Sequence, residues 1–419
     1  MRQTTKKIVV VGLGYVGLPL ALAFGEKFDT LGFDISKERI ETLKRKKDIN
    51  IEVSERDFNK SKLINFSSNE KDLLDRNIFI ISVPTPIYSN KKLDIRNIVN
   101  ATKTVTKYIK KNAYVIYEST VYPGFTEDVC LPILKQKGIK YNTDFYIGYS
   151  PERINPGDKK HTLKKIVKIT SGSNKKSTIF IDKLYKEIIE AGTHRVSNIK
   201  IAEAAKVIEN AQRDVNIAFV NELTKIFDKT NIDTGEVLKA ANTKWNFLDF
   251  KPGFVGGHCI GVDPYYLNYL AEKNKIETKI ILNGRNVNDS MADYTAKKIH
   301  KILKANNKNI KNTKILLLGY TFKENCNDYR NTMTKNIYKI LKKKTNDIHI
   351  SDPYLSKDIK INGLKFIETK KIKYLDYGLI AILVKHDYFK NLKINNLLNN
   401  NIIIYDFHDF LKIKKTYKF

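Results

Sequence analysis

The chain has 419 residues, of which 42% are hydrophobic, and this composition excludes a mostly disordered protein and predicts two or three domains. The formal net charge of +30 comes from basic residues scattered in short clusters, which favours a solvated surface over a nucleic-acid partner. The three cysteines, Cys130, Cys259 and Cys326, are odd in number and lack metal-ligand spacing, so free thiols are expected rather than disulfides or a metal site.

The N-terminal half alternates short apolar strands with helical patterns. The predicted strands are Lys7 to Val11, Thr30 to Ile35, Asn77 to Val83 and Ala113 to Glu118. Helices are predicted up to Phe24, from Glu38 to Lys46 and from Ile95 to Ile109. This alternation indicates an α/β fold with a largely parallel sheet. The first strand begins too early for a secretory signal and no apolar run spans a membrane, so a cytoplasmic protein without a membrane partner is expected.

The pattern changes at Ile199. From Ile199 to Lys229 there is no Gly or Pro and apolar residues recur at helical spacing, which predicts one long helix; Asn286 to Lys304 is also predicted to be helical. The later predicted strands are Lys314 to Gly319, Asp347 to Ser351, Gly378 to Val384 and Ile402 to Tyr405. We therefore predict two Rossmann-like parallel-sheet domains, residues 1–198 and 306–419, joined by a long central helix in a helical middle domain, residues 199–305.

A glycine-rich turn follows the first strand. Gly12-Leu13-Gly14-Tyr15-Val16-Gly17 opens a helix, and Asp34 ends the next strand about 20 residues later, which is the spacing of a dinucleotide site. The glycines allow the backbone to approach a pyrophosphate, and Asp34 would accept hydrogen bonds from the adenosine ribose. A carboxylate repels a 2′-phosphate, so NAD is favoured, although Lys37 and Arg39 follow closely and leave NADP as the alternative.

Two further loops end predicted strands of this domain. Val83-Pro84-Thr85-Pro86 and Glu118-Ser119-Thr120-Val121-Tyr122-Pro123-Gly124 follow the strands at 77 and 113. Ligands bind at the carboxyl ends of parallel strands, so Pro84, Thr85 and Thr120 are candidate cofactor residues; prolines that only end a strand are the alternative.

Cys259 lies in Gly256-Gly257-His258-Cys259-Ile260-Gly261-Val262-Asp263. A lone cysteine is most often a small buried hydrophobe. These glycines suit neither a helix interior nor a strand interior, and they let a ligand approach the backbone. A dehydrogenase with a cysteine nucleophile can oxidise an alcohol through an aldehyde to an acid.

Four other segments carry groups suited to this chemistry. They are Tyr149 to Gly157 with Glu152, Glu203 to Asn210 with Lys206, Asn283 to Asp289 with Arg285, and Gly319 to Asn325 followed by Arg330. Lys206 and Asn210 are four residues apart and share a helix face.

The order and content of these segments resemble the UDP-glucose/GDP-mannose dehydrogenase family, from Lys7 to the last strand near Asp406. The resemblance implies NAD-dependent oxidation of the C6 alcohol of a nucleotide sugar to a carboxylate, with two hydrides leaving per sugar. It also implies that residues 1–198 bind NAD, that 199–305 carry catalysis and a homodimer interface along the long helix, and that 306–419 bind the UDP-sugar.

The resemblance assigns roles to individual residues. Cys259 would be the nucleophile, and Lys206 with Asn210 would stabilise an oxyanion. Asp263 with Thr120 would position water or transfer a proton, and Glu152 would be the base for thioester hydrolysis. Lys323, Arg330 and Arg285 would contact the sugar or a diphosphate, with Arg330 placed among the cofactor residues. The substrate-binding set also includes Arg153, Gly256, Gly257, His258 and Phe322.

The sequence around the cysteine also bears on the sugar. UDP-glucose and GDP-mannose members typically carry Cys-Leu-Pro-Lys-Asp, whereas this chain has Cys259-Ile260-Gly261-Val262-Asp263. That version resembles the UDP-N-acetylhexosamine branch and favours UDP-GlcNAc or UDP-GalNAc, whose uronic acid would supply surface polysaccharide. UDP-ManNAc and UDP-glucose are the alternatives. Cys259 and the segment from Gly319 to Arg330 argue against a 3-hydroxyacid-type dehydrogenase, and the combined set argues against a non-catalytic sensor.

Overall fold

The computed structural model describes residues 6–154, 160–355, 359 and 361–418. Asn155, Pro156 and Gly157, which close the predicted loop after Tyr149, lie outside the described residues. The chain divides into two compact units, Met1–Glu209 with Tyr265–Glu277 and Asn210–Pro264 with Thr278–Phe419. The prediction of three domains with boundaries at 198 and 305 stays a prediction.

The first unit contains an eight-stranded sheet. Its strands are β1 (Lys7–Val11), β2 (Asp29–Phe33), β3 (Ile64–Ser67), β4 (Ile78–Ile81), β5 (Ala113–Tyr117), β6 (Phe145–Tyr149), β7 (Lys168–Gly172) and β8 (Thr193–Arg195). They lie in the order β3-β2-β1-β4-β5-β6-β7-β8, and β6 and β7 pair antiparallel within an otherwise parallel sheet. The central strands are apolar and buried along most of their length, as expected for strands covered on both faces.

Six helices follow the strands of this unit in the sequence. They are α1 (Gly17–Gly25), α2 (Lys37–Lys44), α3 (Glu55–Lys60), α4 (Arg96–Tyr108), α5 (Leu131–Lys135) and α6 (Lys175–Lys186). Leu18 and Leu22 of α1 belong to the same buried cluster as Ile8, Val10 and Ile80 of the sheet, so the glycine turn before α1 is anchored to the core.

The long helix predicted from Ile199 is confirmed as α7 (Ile199–Thr230), and the division between the two units falls within it. The next helices are α8 (Thr234–Ala241), α9 (Asp263–Lys273), α10 (Lys279–Asp289) and α11 (Met291–Ala305). The helix predicted from Asn286 to Lys304 is therefore interrupted at Ser290. The Ser290 hydroxyl donates to the Val287 carbonyl at 2.7 Å, a local hydrogen bond that competes with continued helix.

The second unit contains a parallel sheet in the order β10-β9-β11-β12-β13. The strands are β9 (Ile315–Leu318), β10 (Ile348–Ser351), β11 (Leu379–Ile382), β12 (Ile403–Asp406) and β13 (Tyr417–Lys418), with helices α12 (Met333–Lys342) and α13 (Ile394–Asn399). Apolar clusters cover both faces of the central strands. The predicted α/β class with two parallel-dominated sheets is confirmed. Among the described residues, no helix is long and apolar enough to cross a membrane.

Candidate active site

The turn between β1 and α1 is built around two close approaches. Gly12 has a φ of +92°, a conformation that favours glycine, and a Cβ there would lie 3.0 Å from Val83 Cγ1. A Cβ on Gly17 would overlap the Gly12 carbonyl oxygen and the Ser82 hydroxyl. A Cβ on Gly14, which is exposed, would meet nothing within 4 Å. The helix start is thus packed tightly on the strand while the tip of the turn stays open, as dinucleotide binding requires.

Asp34 follows β2 and closes the same turn. Its Oδ2 accepts a hydrogen bond from the Leu13 amide at 2.8 Å and its Oδ1 accepts one from the Ser36 amide at 2.9 Å. Arg39 is buried, donates to the Leu13 carbonyl and forms an ion pair with Asp48 at 2.9 Å. Because the Arg39 guanidinium is buried, with its Nη1 and Nη2 atoms out of reach of solvent, and Asp34 stays half-buried, these residues fit the ribose diol of NAD better than a 2′-phosphate.

We expect Gly17→Ala to lower the free energy of unfolding by about 2–3 kcal/mol, because the new methyl group overlaps backbone in a packed core. Thermal melting with and without NAD measures the change, and NAD should stabilise the variant less than the wild type. Gly14→Ala is the matched control, since its Cβ has free space. Equal melting temperatures for the two variants would contradict this reading of the turn.

The loops after β4 and β5 lie side by side because these strands are neighbours. The Thr85 hydroxyl donates to the Thr120 carbonyl at 2.7 Å, and the Ser119 hydroxyl donates to the Val83 carbonyl at 2.7 Å. The Tyr266 hydroxyl donates to the Thr85 carbonyl at 2.8 Å. Thr85 and Thr120, both predicted from the sequence, are therefore brought together at the carboxyl edge of the sheet.

Lys206 lies on α7 and is only 9% exposed. Within the described part of the chain, its ammonium has no hydrogen-bond or ion-pair partner. A lysine whose side chain is mostly buried and whose ammonium has no partner is stabilised when an anion binds beside it, so this feature points to a ligand. Arg153, by contrast, is paired with Glu209 at 2.9 Å.

The cysteine loop of the second unit is a tight turn at the start of α9. The Cys259 carbonyl accepts hydrogen bonds from the Val262 amide at 2.9 Å and the Asp263 amide at 2.8 Å, and the thiol is free and partly exposed. Asp263 is buried and accepts a hydrogen bond from Asn210 Nδ2 at 2.6 Å. The turn therefore presents a thiol and fixes a carboxylate a few residues away.

The loop between β9 and α12 packs against this cysteine loop. The Gly257 amide donates to the Arg330 carbonyl at 3.0 Å, and Asn331 Nδ2 donates to the Gly257 carbonyl at 2.8 Å. A Cβ on Gly257 would lie 2.8 Å from the Phe322 ring, and Gly257 has a φ of +76°. The structure thus brings together the predicted segments around Cys259 and Phe322.

His258 lies in a charged cluster with Asp328 and Arg330. Its Nδ1 is 3.5 Å from Asp328 Oδ2 and 2.9 Å from Arg330 Nη2, and Arg330 also pairs with Asp328 at 2.6 Å. Burial lowers the pKa of His258, but its contacts with Asp328 and Cys259 outweigh burial and raise it to about 9. Asp328 pairs with both side chains, and a histidine beside a thiol is an arrangement that activates cysteine nucleophiles.

Arg285 is buried against acidic partners. It pairs with Asp214 at 2.5 Å and with Asp289, and a Cβ on Gly261 would lie 3.7 Å from Arg285 Nη1. The predicted residue therefore supports the cysteine loop. Its role at the sugar or diphosphate stays a prediction, as does that of Lys323. Among the described residues, no cluster of three or more His, Cys, Asp or Glu could hold a metal ion.

Sequence comparison decides the family. Residues 6–189 match the NAD binding domain of the UDP-glucose/GDP-mannose dehydrogenase family, 200–290 its central domain and 316–413 its UDP binding domain. The chain belongs to this family. Its members are NAD-dependent dehydrogenases, and the glycine turn and Asp34 described above fit NAD.

Curated relatives and a solved structure cover almost the whole dehydrogenase. The chain is 47% identical to the UDP-N-acetyl-D-glucosamine 6-dehydrogenase of Salmonella typhi, over 92% of this chain and 91% of that protein. It is 46% identical to the enzyme of the same name from Pseudomonas aeruginosa, over 93% of each. The UDP-D-ManNAc dehydrogenase structure from Pyrococcus horikoshii has a TM-score of 0.88 and 29% identity, covering 98% of this chain and 97% of that one.

Sequence reasoning missed several residues that hold the candidate site residues in place. Asn221 on α7 donates to the Gly253 carbonyl and accepts from the Gly253 amide, both at 2.9 Å, which fixes the chain leading to the cysteine loop. Asp328 orients His258 and Arg330, and Lys168 contacts Glu152. Asp328 lies two residues from Arg330 in the sequence and could have been suspected there, whereas the contacts of Asn221 and Lys168 depend on the fold.

Proposed function

We propose that this enzyme oxidises the C6 alcohol of a UDP-N-acetylhexosamine, UDP-GlcNAc or UDP-GalNAc, to the uronic acid through a cysteine thioester, and that the product supplies surface polysaccharide. The observation that carries the proposal is the partly exposed Cys259 in a glycine turn beside His258, within a member of an NAD-dependent nucleotide-sugar dehydrogenase family. The names of the relatives at 46–47% identity favour UDP-GlcNAc.

The mechanism follows from the groups that the chain supplies. NAD supplies the hydride acceptor for both oxidations. The alcohol loses a hydride from C6 and its hydroxyl proton to give the aldehyde. The Cys259 sulfur then attacks C6 to form a thiohemiacetal, and loss of a second hydride from C6 and of the hydroxyl proton to water leaves a thioester. Water then attacks the thioester carbon, Glu152 accepts a proton from that water, and the thiolate leaves as the carboxylic acid forms.

Two side chains of α7, the cationic Lys206 and the polar Asn210, would act on the oxygen of the reacting carbon. The unpaired ammonium of Lys206 would stabilise the oxyanion of each tetrahedral intermediate, with the Asn210 amide as a second donor. Asp263, which accepts a hydrogen bond from Asn210, would hold that amide in place and, with Thr120, position water or transfer a proton.

Substrate specificity tests the sugar assignment. We expect kcat/KM for UDP-GlcNAc or UDP-GalNAc to exceed those for UDP-glucose and UDP-ManNAc by at least about 100-fold. Pocket groups that hydrogen-bond an equatorial acetamido group at C2 are left unpaired by UDP-glucose, which lacks the group, and by UDP-ManNAc, in which it is axial. Initial rates of NADH formation on the four sugars measure this. A preference for UDP-glucose or UDP-ManNAc would contradict the assigned sugar and make the preferred sugar the substrate of the same four-electron oxidation.

We also propose a homodimer along α7. Ile201, Ile208, Phe219 and Ile226 are each 45–55% exposed and are spaced by 7, 11 and 7 residues, which places them on one stripe of the helix. Large apolar side chains that recur along an exposed helix face are typical of an interface.

A charged substitution in this apolar stripe tests whether the stripe forms the dimer interface. Phe219→Glu should shift the protein from dimer to monomer at micromolar concentration, because a carboxylate would be buried in an apolar interface. Light scattering after size exclusion gives the mass. Ile280→Glu on α10 is the control, since Ile280 is exposed outside the stripe. A wild type that is monomeric, or a Phe219→Glu variant that stays dimeric, would contradict the interface.

A further inference from the structure

Lys168, the first residue of β7, is buried and has no part in the mechanism given above. Its Nζ donates to Glu118 Oε2 at 2.7 Å and to Glu152 Oε2 at 2.8 Å. All three side chains are at most 5% exposed. Burying three charges costs desolvation free energy, and apolar side chains of similar volume would serve packing as well, so a purely structural role accounts poorly for the cluster.

The cluster holds the Glu152 carboxylate in one orientation. Glu152 Oε1 accepts hydrogen bonds from the Arg153 amide at 2.5 Å and the Ile154 amide at 2.7 Å, while Oε2 accepts from Lys168. Both lone pairs of Oε1 are therefore used, whereas Oε2 keeps one that could accept a proton from water. The orientation is therefore set by the chain itself before any substrate arrives.

Glu118 shares the same lysine and is held from its other side. The Tyr185 hydroxyl donates to Glu118 Oε1, and Lys168 Nζ lies 5.4 Å from the centre of the Tyr185 ring. Glu118 comes directly after β5, Glu152 follows β6 and Lys168 begins β7, so the cluster links three neighbouring strands next to the loop that carries Thr120.

We infer that Lys168 and Glu118 are positioning residues for Glu152, and that the ionisation of Glu118 controls how readily Glu152 accepts the proton of the hydrolytic water. This inference rests on the proposed function, in which Glu152 is the base for thioester hydrolysis. When Glu118 is neutral, Lys168 pairs with Glu152 alone and makes it a poorer proton acceptor. When Glu118 is ionised, it shares Lys168 and repels Glu152, which makes Glu152 a better one.

Glu118 changes its ionisation near neutral pH, where the reaction can be measured. Burial raises the pKa of Glu118, and although Lys168 opposes this, the pKa is about 7. Burial lowers the pKa of Lys168, but the two carboxylates outweigh burial and raise it, so the lysine stays charged. Among the described residues, Arg153, which follows Glu152 in the chain, pairs with Glu209 rather than with Glu152. Hydrolysis should therefore quicken as the pH rises through about 7, as Glu118 ionises.

The test uses full-length enzyme with UDP-GlcNAc and NAD at pH 6 and pH 8. Acyl-enzyme is trapped by acid quench and measured by intact mass, and acid formation per acyl-enzyme gives the hydrolysis rate. We expect wild-type hydrolysis to be about tenfold faster at pH 8, and Glu118→Gln to show the slow rate at both values. The first oxidation should be unchanged in this variant. Tyr185→Phe, which removes one donor to Glu118, should move the rise to higher pH.

Glu203→Gln is the matched control. Glu203 is a buried carboxylate of the same unit, its pKa is raised to about 7, mainly by burial, and it accepts hydrogen bonds from the Gly124 and Thr126 amides rather than from Lys168. It should keep the wild-type pH response. A wild-type response in Glu118→Gln, or equal slowing of both steps, would overturn the positioning role. A Glu152→Gln variant that accumulates no acyl-enzyme would instead contradict the proposed hydrolysis step, and the positioning role with it.

Discussion

Replacing Cys259 with Ala is expected to lower acid formation from the nucleotide sugar by at least about 1000-fold. Without the thiol neither the thiohemiacetal nor the thioester can form, so the second oxidation has no covalent route. NAD and sugar affinity should change little, because alanine is smaller and leaves the turn intact. Acid yield by chromatography, with binding by calorimetry, separates the two effects.

Cys326→Ala is the matched control for this experiment. Cys326 is also free and partly exposed in the second unit, and its thiol donates to the Lys323 carbonyl at 3.3 Å. Its replacement should leave most of the activity. If Cys259→Ala makes acid at the wild-type rate, or if both variants lose activity equally, the thioester route is contradicted.

Replacing Lys206 with Ala is expected to lower kcat by about 100- to 1000-fold, with a smaller effect on KM. Its side chain is mostly buried and its ammonium has no hydrogen-bond or ion-pair partner among the described residues, so its charge is available to an anion that develops during the reaction. A group that acts on the transition state changes kcat, whereas one that only binds the ground state changes KM. Steady-state kinetics on the preferred sugar measure both.

Two variants make the lysine experiment specific. Lys206→Arg keeps the charge with a different shape and should recover part of kcat. Lys229→Ala removes an exposed lysine near the end of the same helix and should be close to wild type. A Lys206→Ala enzyme with normal kcat and raised KM would show that the lysine binds the substrate rather than the oxyanion.

The parts that could be predicted were those with a local signal. Glycine spacing predicted the turn from Gly12 to Gly17, and helical periodicity predicted the helix from Ile199. The structure has a tight turn and a helix at these positions. Strands with weak apolar character, such as β3 and β8, gave no such signal because their side chains are partly exposed. The break at Ser290 was missed because the residues on both sides favour helix.

The contacts that orient the site could not be predicted, because they join distant parts of the chain. Lys168 looks like one surface lysine among many, yet it is buried between Glu118 and Glu152. Arg285 was expected at the substrate, and its buried pairing with Asp214 became visible only in the structure. A one-dimensional pattern shows which groups are present but not which of them pair with each other.

A four-electron oxidation by one enzyme should be visible in the yield of NADH per molecule of limiting UDP-GlcNAc, or of UDP-GalNAc if that sugar is preferred. Two NADH per sugar, with the uronic acid as product, is the predicted result. One NADH per sugar with the aldehyde as product would contradict the account, because Cys259 would then have no covalent step to perform.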